Sequence, residues 1–103
     1  MLTIRKAELR DVPALFKMVS HYARQRVMLP RPLAELYENI WEFTVAEDNG
    51  GLLGCGALKF YSADLGEIRS LCVAPGVESR GLGRALSEQI LDEAERYGLK
   101  TVF

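Results

Sequence analysis

The chain has 103 residues, 49% of them hydrophobic and 26% charged, the balance of an ordinary soluble globular domain with one core. Its formal net charge of −1 excludes a general electrostatic drive toward nucleic acid or an anionic membrane, so any phosphate-binding site must be local. No apolar run approaches the ~18 residues of a membrane span. The start, Met1-Leu2-Thr3-Ile4-Arg5-Lys6, lacks the apolar core of a signal peptide, so the cytoplasm is the expected location. The two cysteines, Cys55 and Cys72, sit in apolar runs outside any C-x-x-C pair. They read as small core residues, and no metal cluster is expected.

In chain order, residues 2–6 read as a strand. Asp11 is a good N-cap with Pro13 in the first turn, and Val12, Leu15, Phe16, Val19 and Tyr22 recur at helical spacing, which predicts a helix over about 11–25. Pro30-Arg31-Pro32 interrupts it. A short second helix is expected over 33–40, with Leu33, Leu36, Tyr37 and Ile40 on one face. Residues 43–47 and 52–61 read as strands joined at Asp48-Asn49-Gly50-Gly51, a strong turn signal. Gly54 and Gly56 mark a bulge or a close backbone approach. A third strand over 67–73 completes an antiparallel meander, because the connections are short.

Leu82, Ala85, Leu86, Ile90, Ala94 and Tyr97 then follow at spacings of three and four, which predicts a helix ending near Gly98 as its C′ residue. Thr101-Val102-Phe103 starts another strand. A helix crossing from Val73 to that strand implies parallel pairing.

The most informative stretch is Glu78-Ser79-Arg80-Gly81-Leu82-Gly83-Arg84-Ala85. A glycine-rich turn between strand and helix places unpaired N–H groups at the positive end of a helix dipole, where a phosphate or pyrophosphate binds. Gly83-Arg84-Ala85 lacks the lysine and hydroxyl of a Walker loop, and Leu86 stands where a dinucleotide fingerprint needs glycine or alanine. Strand 67–73, then Ala74-Pro75, then Arg80-Gly81-Leu82-Gly83-Arg84-Ala85-Leu86 instead resembles the acetyl-CoA loop of the GNAT N-acetyltransferases. The Gln/Arg position of the family's loop is Glu78 here. The pattern over 9–13, Arg31-Pro32, Phe43-Thr44-Val45-Ala46-Glu47, Gly54-Cys55-Gly56-Ala57-Leu58 and Gly66-Glu67 with Cys72-Val73-Ala74-Pro75 are similar to the acetyltransferase domain of N-acetylglutamate synthases.

The resemblance implies an α/β fold with a mixed, mostly antiparallel sheet flanked by helices, stopping after the start of the fifth strand. The whole chain is then a single GNAT-like domain, the N-terminal two-thirds of that fold. It implies acetyl transfer from acetyl-CoA to a primary amine by direct attack in a ternary complex, without a metal. Backbone groups of Leu71, Cys72 and Val73 would meet the pantetheine arm, and Ser79, Arg80, Gly81, Leu82, Gly83, Arg84 and Ala85 the pyrophosphate. Glu67 is the candidate base, because an alkyl ammonium near pKa ~10 must lose a proton before it attacks. Its competing reading is a surface carboxylate paired with Arg69. Alternation puts Glu67, Arg69, Leu71 and Val73 on one face unless a bulge intervenes. Arg24, Arg26 and Arg31 border the expected acceptor pocket; their guanidinium forks suit the carboxylate of glutamate or another small amino acid, against the alternative of a solvated basic loop. His21 reads as a surface or packing residue. None of Tyr22, Tyr37, Tyr61 and Tyr97 matches the tyrosine that the family uses as general acid. Two further readings stay open: a non-catalytic CoA-binding or partner-binding module, and a fragment completed by homodimerisation.

Overall fold

A computed structural model describes residues 1–77 and 81–103. Among them one sheet of five strands runs in sequence order, β1 (Leu2–Lys6), β2 (Phe43–Asp48), β3 (Gly51–Phe60), β4 (Leu65–Val73) and β5 (Thr101–Val102). The first three pairings are antiparallel and β4–β5 is parallel, as short turns and one helical crossover require. The Asn49-Gly50 turn has φ of 52° and 81°, the doubly left-handed geometry of a two-residue hairpin.

The sheet separates two apolar layers. On one face Phe43, Val45, Cys55 and Ala57 pack with Val12, Leu15, Met18 and Val19 of α1 (Val12–Arg24) and Leu36 of α2 (Leu33–Glu38). On the other, Ala46 meets Leu82 and Leu86 of α3 (Leu82–Arg96), and Leu58 meets Ile90 and Ala94. Full burial of a side chain such as Leu15, Leu86 or Ile90 contributes about 1.5–3 kcal/mol. Gly98 (φ 83°) ends α3 as expected. Its N–H donates to Glu95 O at 2.9 Å and that of Leu99 to Ala94 O at 3.1 Å, the two bonds of a Schellman ending.

Two local expectations are corrected. Asp11 does not cap α1 with its side chain. Its carboxylate accepts the Glu8 N–H at 2.7 Å and both ends of the Arg5 fork at 2.8 and 3.0 Å, while Arg5 Nε reaches Glu47 at 3.0 Å. Both oxygens are thus committed to Arg5 and to the Glu8 amide rather than to the first-turn amides of α1. The second helix stops at Glu38, where Asn39 bonds the Glu35 carbonyl through both its backbone N–H (3.0 Å) and its side-chain amide (3.1 Å). A 3₁₀ turn, Ile40–Glu42, follows, and of the expected face only Leu36 is fully buried, Leu33 and Tyr37 being exposed.

Candidate active site

β4 is the element on which the site is built. Its register against β3 slips between the Cys55–Cys72 and Ala57–Arg69 pairs, so Ser70 and Leu71 together face Gly56. Ser70 takes φ 54°. This is a β-bulge, with the extra residue in the left-handed region. Gly56 permits it: a Cβ there would lie 2.7 Å from Ile90 Cδ1 and 3.1 Å from Leu71 Cδ1. The expected single face of β4 therefore breaks. Glu67 and Arg69 share a cleft with Arg31 on the α2 side, whereas Leu71 turns toward Ile90 of α3 and Val73 packs beside Leu82 and Leu86.

The bulge also sorts the backbone. β5 pairs with Leu65 and Gly66, and the Ile68 N–H reaches Phe103 O at 2.7 Å. From Arg69 to Val73 that edge carries no strand among the described residues. The Ala74 N–H donates to Leu53 O of β3, so alternation directs the Leu71 and Val73 amides to the free edge and Cys72 toward β3. The Tyr22 phenol donates to the Val73 carbonyl at 2.6 Å, anchoring the strand end to α1.

Beyond Val73 the chain turns at Ala74-Pro75-Gly76, with the Val77 N–H on Ala74 O and Gly76 at φ 91°. The expected pyrophosphate residues Ser79 and Arg80, with Glu78, lie outside the described residues. Gly81 (φ 74°) caps α3 in the left-handed region and its carbonyl takes the Ala85 N–H at 3.1 Å. The amides of Leu82, Gly83 and Arg84 fall in the first turn, where no intrahelical acceptor precedes them. Among the described residues, a Cβ at Gly81 or Gly83 would meet nothing within 4 Å, which leaves room there for a phosphate-bearing group. The Leu82 side chain is core, 2% exposed, and contributes only backbone. Arg84 projects to the surface and pairs with Glu88 at 3.1 Å.

At the other end of β4 a cleft of about 280 Å³ is lined by Met28, Leu29, Arg31, Glu67, Arg69 and Ser70, with Ile68. Glu67 Oε1 accepts the Tyr61 hydroxyl at 2.6 Å and Arg69 Nε at 2.7 Å, and Arg69 Nη2 donates to the Tyr61 oxygen at 2.7 Å. The Tyr61 hydrogen bond, then that of Arg69, holds the Glu67 carboxyl below its ordinary range. The same bond raises the Tyr61 phenol. Glu67 is thus paired with Arg69 and lines the cleft.

Arg31 is 8% exposed. It donates to Glu35 at 2.8 Å and to Ser70 Oγ at 3.1 Å, and lies over the Phe43 ring at 5.3 Å. It therefore fastens the α1–α2 connection to the bulge as well as lining the cleft. Burial raises the carboxyl of neighbouring Glu42. Arg26, at φ 59°, lines an adjoining hollow with Ala23, Val27, Met28, Leu29 and Pro30, apart from Glu67. Arg24 and His21 line a third cleft beside Ala74 and Pro75, where His21 pairs with Gln25 at 3.1 Å. Ser70 and Tyr61 were not picked out as site residues from sequence, although the β3–β4 hairpin sets Tyr61 diagonally across from Glu67, whose direct partner is Lys59.

The family model described as "Acetyltransferase (GNAT) family" matches residues 10–103. The chain belongs to the GNAT acetyltransferase family. An amino-acid acetyltransferase of Mycobacterium tuberculosis is 40% identical over 103 residues, covering 97% of this chain and 59% of its own length. A M. tuberculosis protein crystallised with CoA superposes with a TM-score of 0.93 at 39% identity, over 97% of this chain and 61% of that one. N-acetylglutamate synthase from Neisseria gonorrhoeae, complexed with CoA and N-acetyl-glutamate, gives 0.92 at 36% identity, over 96% of this GNAT chain and 24% of that one. The chain thus spans under two-thirds of the length of these relatives. Among the described residues there is no group of three or more metal-ligating side chains, and no helix long and apolar enough to cross a membrane.

Proposed function

We propose that this chain is an acetyl-CoA-dependent N-acetyltransferase, in the cytoplasm, acting on the α-amino group of glutamate or a similar small amino acid. One observation carries the reading. β4 joins two features along a single strand: a free edge that runs on to the glycine start of α3, and the Glu67–Arg31 cleft at its other end. The relatives crystallised with CoA share this fold at high superposition.

Acetyl-CoA supplies the activated thioester. The free-edge amides of Leu71 and Val73, with Cys72 between them, suit the amide groups of a pantetheine arm, and an N–H in this stretch stabilises the oxyanion that develops on the carbonyl. Residues 79–85 receive the pyrophosphate, with Arg80 and Arg84 adding charge. An alkyl ammonium of pKa about 10 must lose its proton before attack. Glu67, held ionised by Tyr61 and Arg69, accepts that proton through a water that bridges the distance to the ammonium. Arg31, with Arg26 at the adjoining hollow, favours an acceptor that carries a carboxylate.

Calorimetry with acetyl-CoA, followed by a thiol-release assay across amino acids and polyamines, tests the proposal. Binding with release on glutamate supports it. Binding without release on any amine makes the chain a CoA-binding module, and activity confined to amines without a carboxylate rules out the amino-acid acceptor.

A further inference from the structure

The thiols of Cys55 and Cys72 have no part in the proposed transfer, yet the fold sets them against each other. They are directly opposed in the β3–β4 register, with Sγ atoms 3.7 Å apart. Both are free thiols, Cys55 fully buried and Cys72 half-buried. Directly opposed strand positions have the Cα spacing a disulfide accepts, and closing the bond needs the sulfurs to approach to about 2.0 Å. Cys55 Sγ also donates to the Ser70 carbonyl at 3.4 Å, which ties the pair to the bulge.

We propose that Cys55 and Cys72 are a redox modification site that takes a hydroperoxide and closes to a reversible intrachain disulfide across β3 and β4. Cys72 is the less buried of the two. Its contact with Cys55 favours its thiolate, while that contact and burial keep Cys55 protonated. The Cys72 sulfur attacks the terminal peroxide oxygen, the O–O bond breaks, and a sulfenic acid forms with release of the corresponding alcohol, or of water from hydrogen peroxide. The Cys55 sulfur then attacks the sulfenic sulfur, the S–O bond breaks, and the departing hydroxide leaves as water with the Cys55 proton. Two electrons pass from the thiols to the peroxide. Closure removes the donor from the Ser70 carbonyl and pulls Cys72 toward β3, so CoA binding at the adjacent free edge weakens; this consequence alone rests on the acetyl-CoA reading.

The test treats the reduced protein with hydrogen peroxide, then denatures and alkylates it. The expected product is a monomer lighter by about 2 Da with no alkylatable thiol, restored by dithiothreitol. Cys55→Ser accumulates a dimedone-reactive sulfenic acid at Cys72. Two thiols still alkylatable, disulfide-linked dimers in place of the intrachain bond, or Cys72 over-oxidised with Cys55 still free overturns the proposal. Calorimetry of both forms with CoA is expected to show binding about tenfold weaker after oxidation, 1.4 kcal/mol. Equal affinities overturn the coupling. A reduced protein that binds no CoA overturns the acetyl-CoA reading and leaves the disulfide result standing.

Discussion

At Glu67 one carboxylate oxygen accepts both the Tyr61 hydroxyl and Arg69 Nε. If Glu67 handles the proton, Glu67→Gln lowers turnover by at least ~10²; wild-type rates in the variant at every pH would remove it from the mechanism. Tyr61→Phe deletes the larger of the two influences that depress this carboxyl. The carboxyl should then titrate at higher pH in the variant, read from its carbon chemical shift, and an unmoved titration would mean Arg69 alone holds it down. Glu67 was legible in the sequence as a candidate, because it stands near the start of the strand that precedes the glycine-rich loop. Its partners were not. Tyr61 becomes a neighbour only once the turn at residues 61–65 closes, and Ser70 meets Arg31 only because a bulge rotates it out of alternation.

Among the elements, β3 and α3 show how glycines divide the work. Gly54 lies under α3, where a Cβ would stand 2.9 Å from Leu86 Cδ1 and 3.1 Å from the Cys72 carbonyl. Gly54→Ala should therefore destabilise the fold by about 1–3 kcal/mol in denaturant titrations. Gly83 has open space on the first turn of α3, so Gly83→Ala should leave stability unchanged or raise it by up to about 1 kcal/mol. Equal losses at both positions would contradict this division. The elements themselves were readable from periodicity, since strands and helices here obey the alternation of two and the spacing of three and four. The end of the second helix was not, because Asn39 stops it through hydrogen bonds that no periodic pattern records. The single-faced reading of β4 failed for the same reason as Ser70: one extra residue inverts every side chain beyond it.

For the whole molecule, charge helps to hold the β1 edge of the sheet, where Ile4 also packs on the α3-side core. Arg5 bridges Asp11 and Glu47, and its hydrogen bonds lower both carboxyls. Stability from a depressed carboxyl is present above its unfolded pKa and lost as pH falls through the folded one. Arg5→Met should cost about 1–3 kcal/mol at neutral pH, and the gap from wild type should close as pH falls below ~4; a gap independent of pH would assign the loss to packing. The proposed function puts CoA along the free edge of β4 and on the opening turn of α3. Amide-resolved NMR during titration with CoA tests it most directly. Saturable shifts are expected, concentrated at Leu71, Cys72 and Val73 and over residues 81–85. Shifts centred on the α1 cleft of Lys17, His21 and Arg24, or no saturable shift at all, would contradict it.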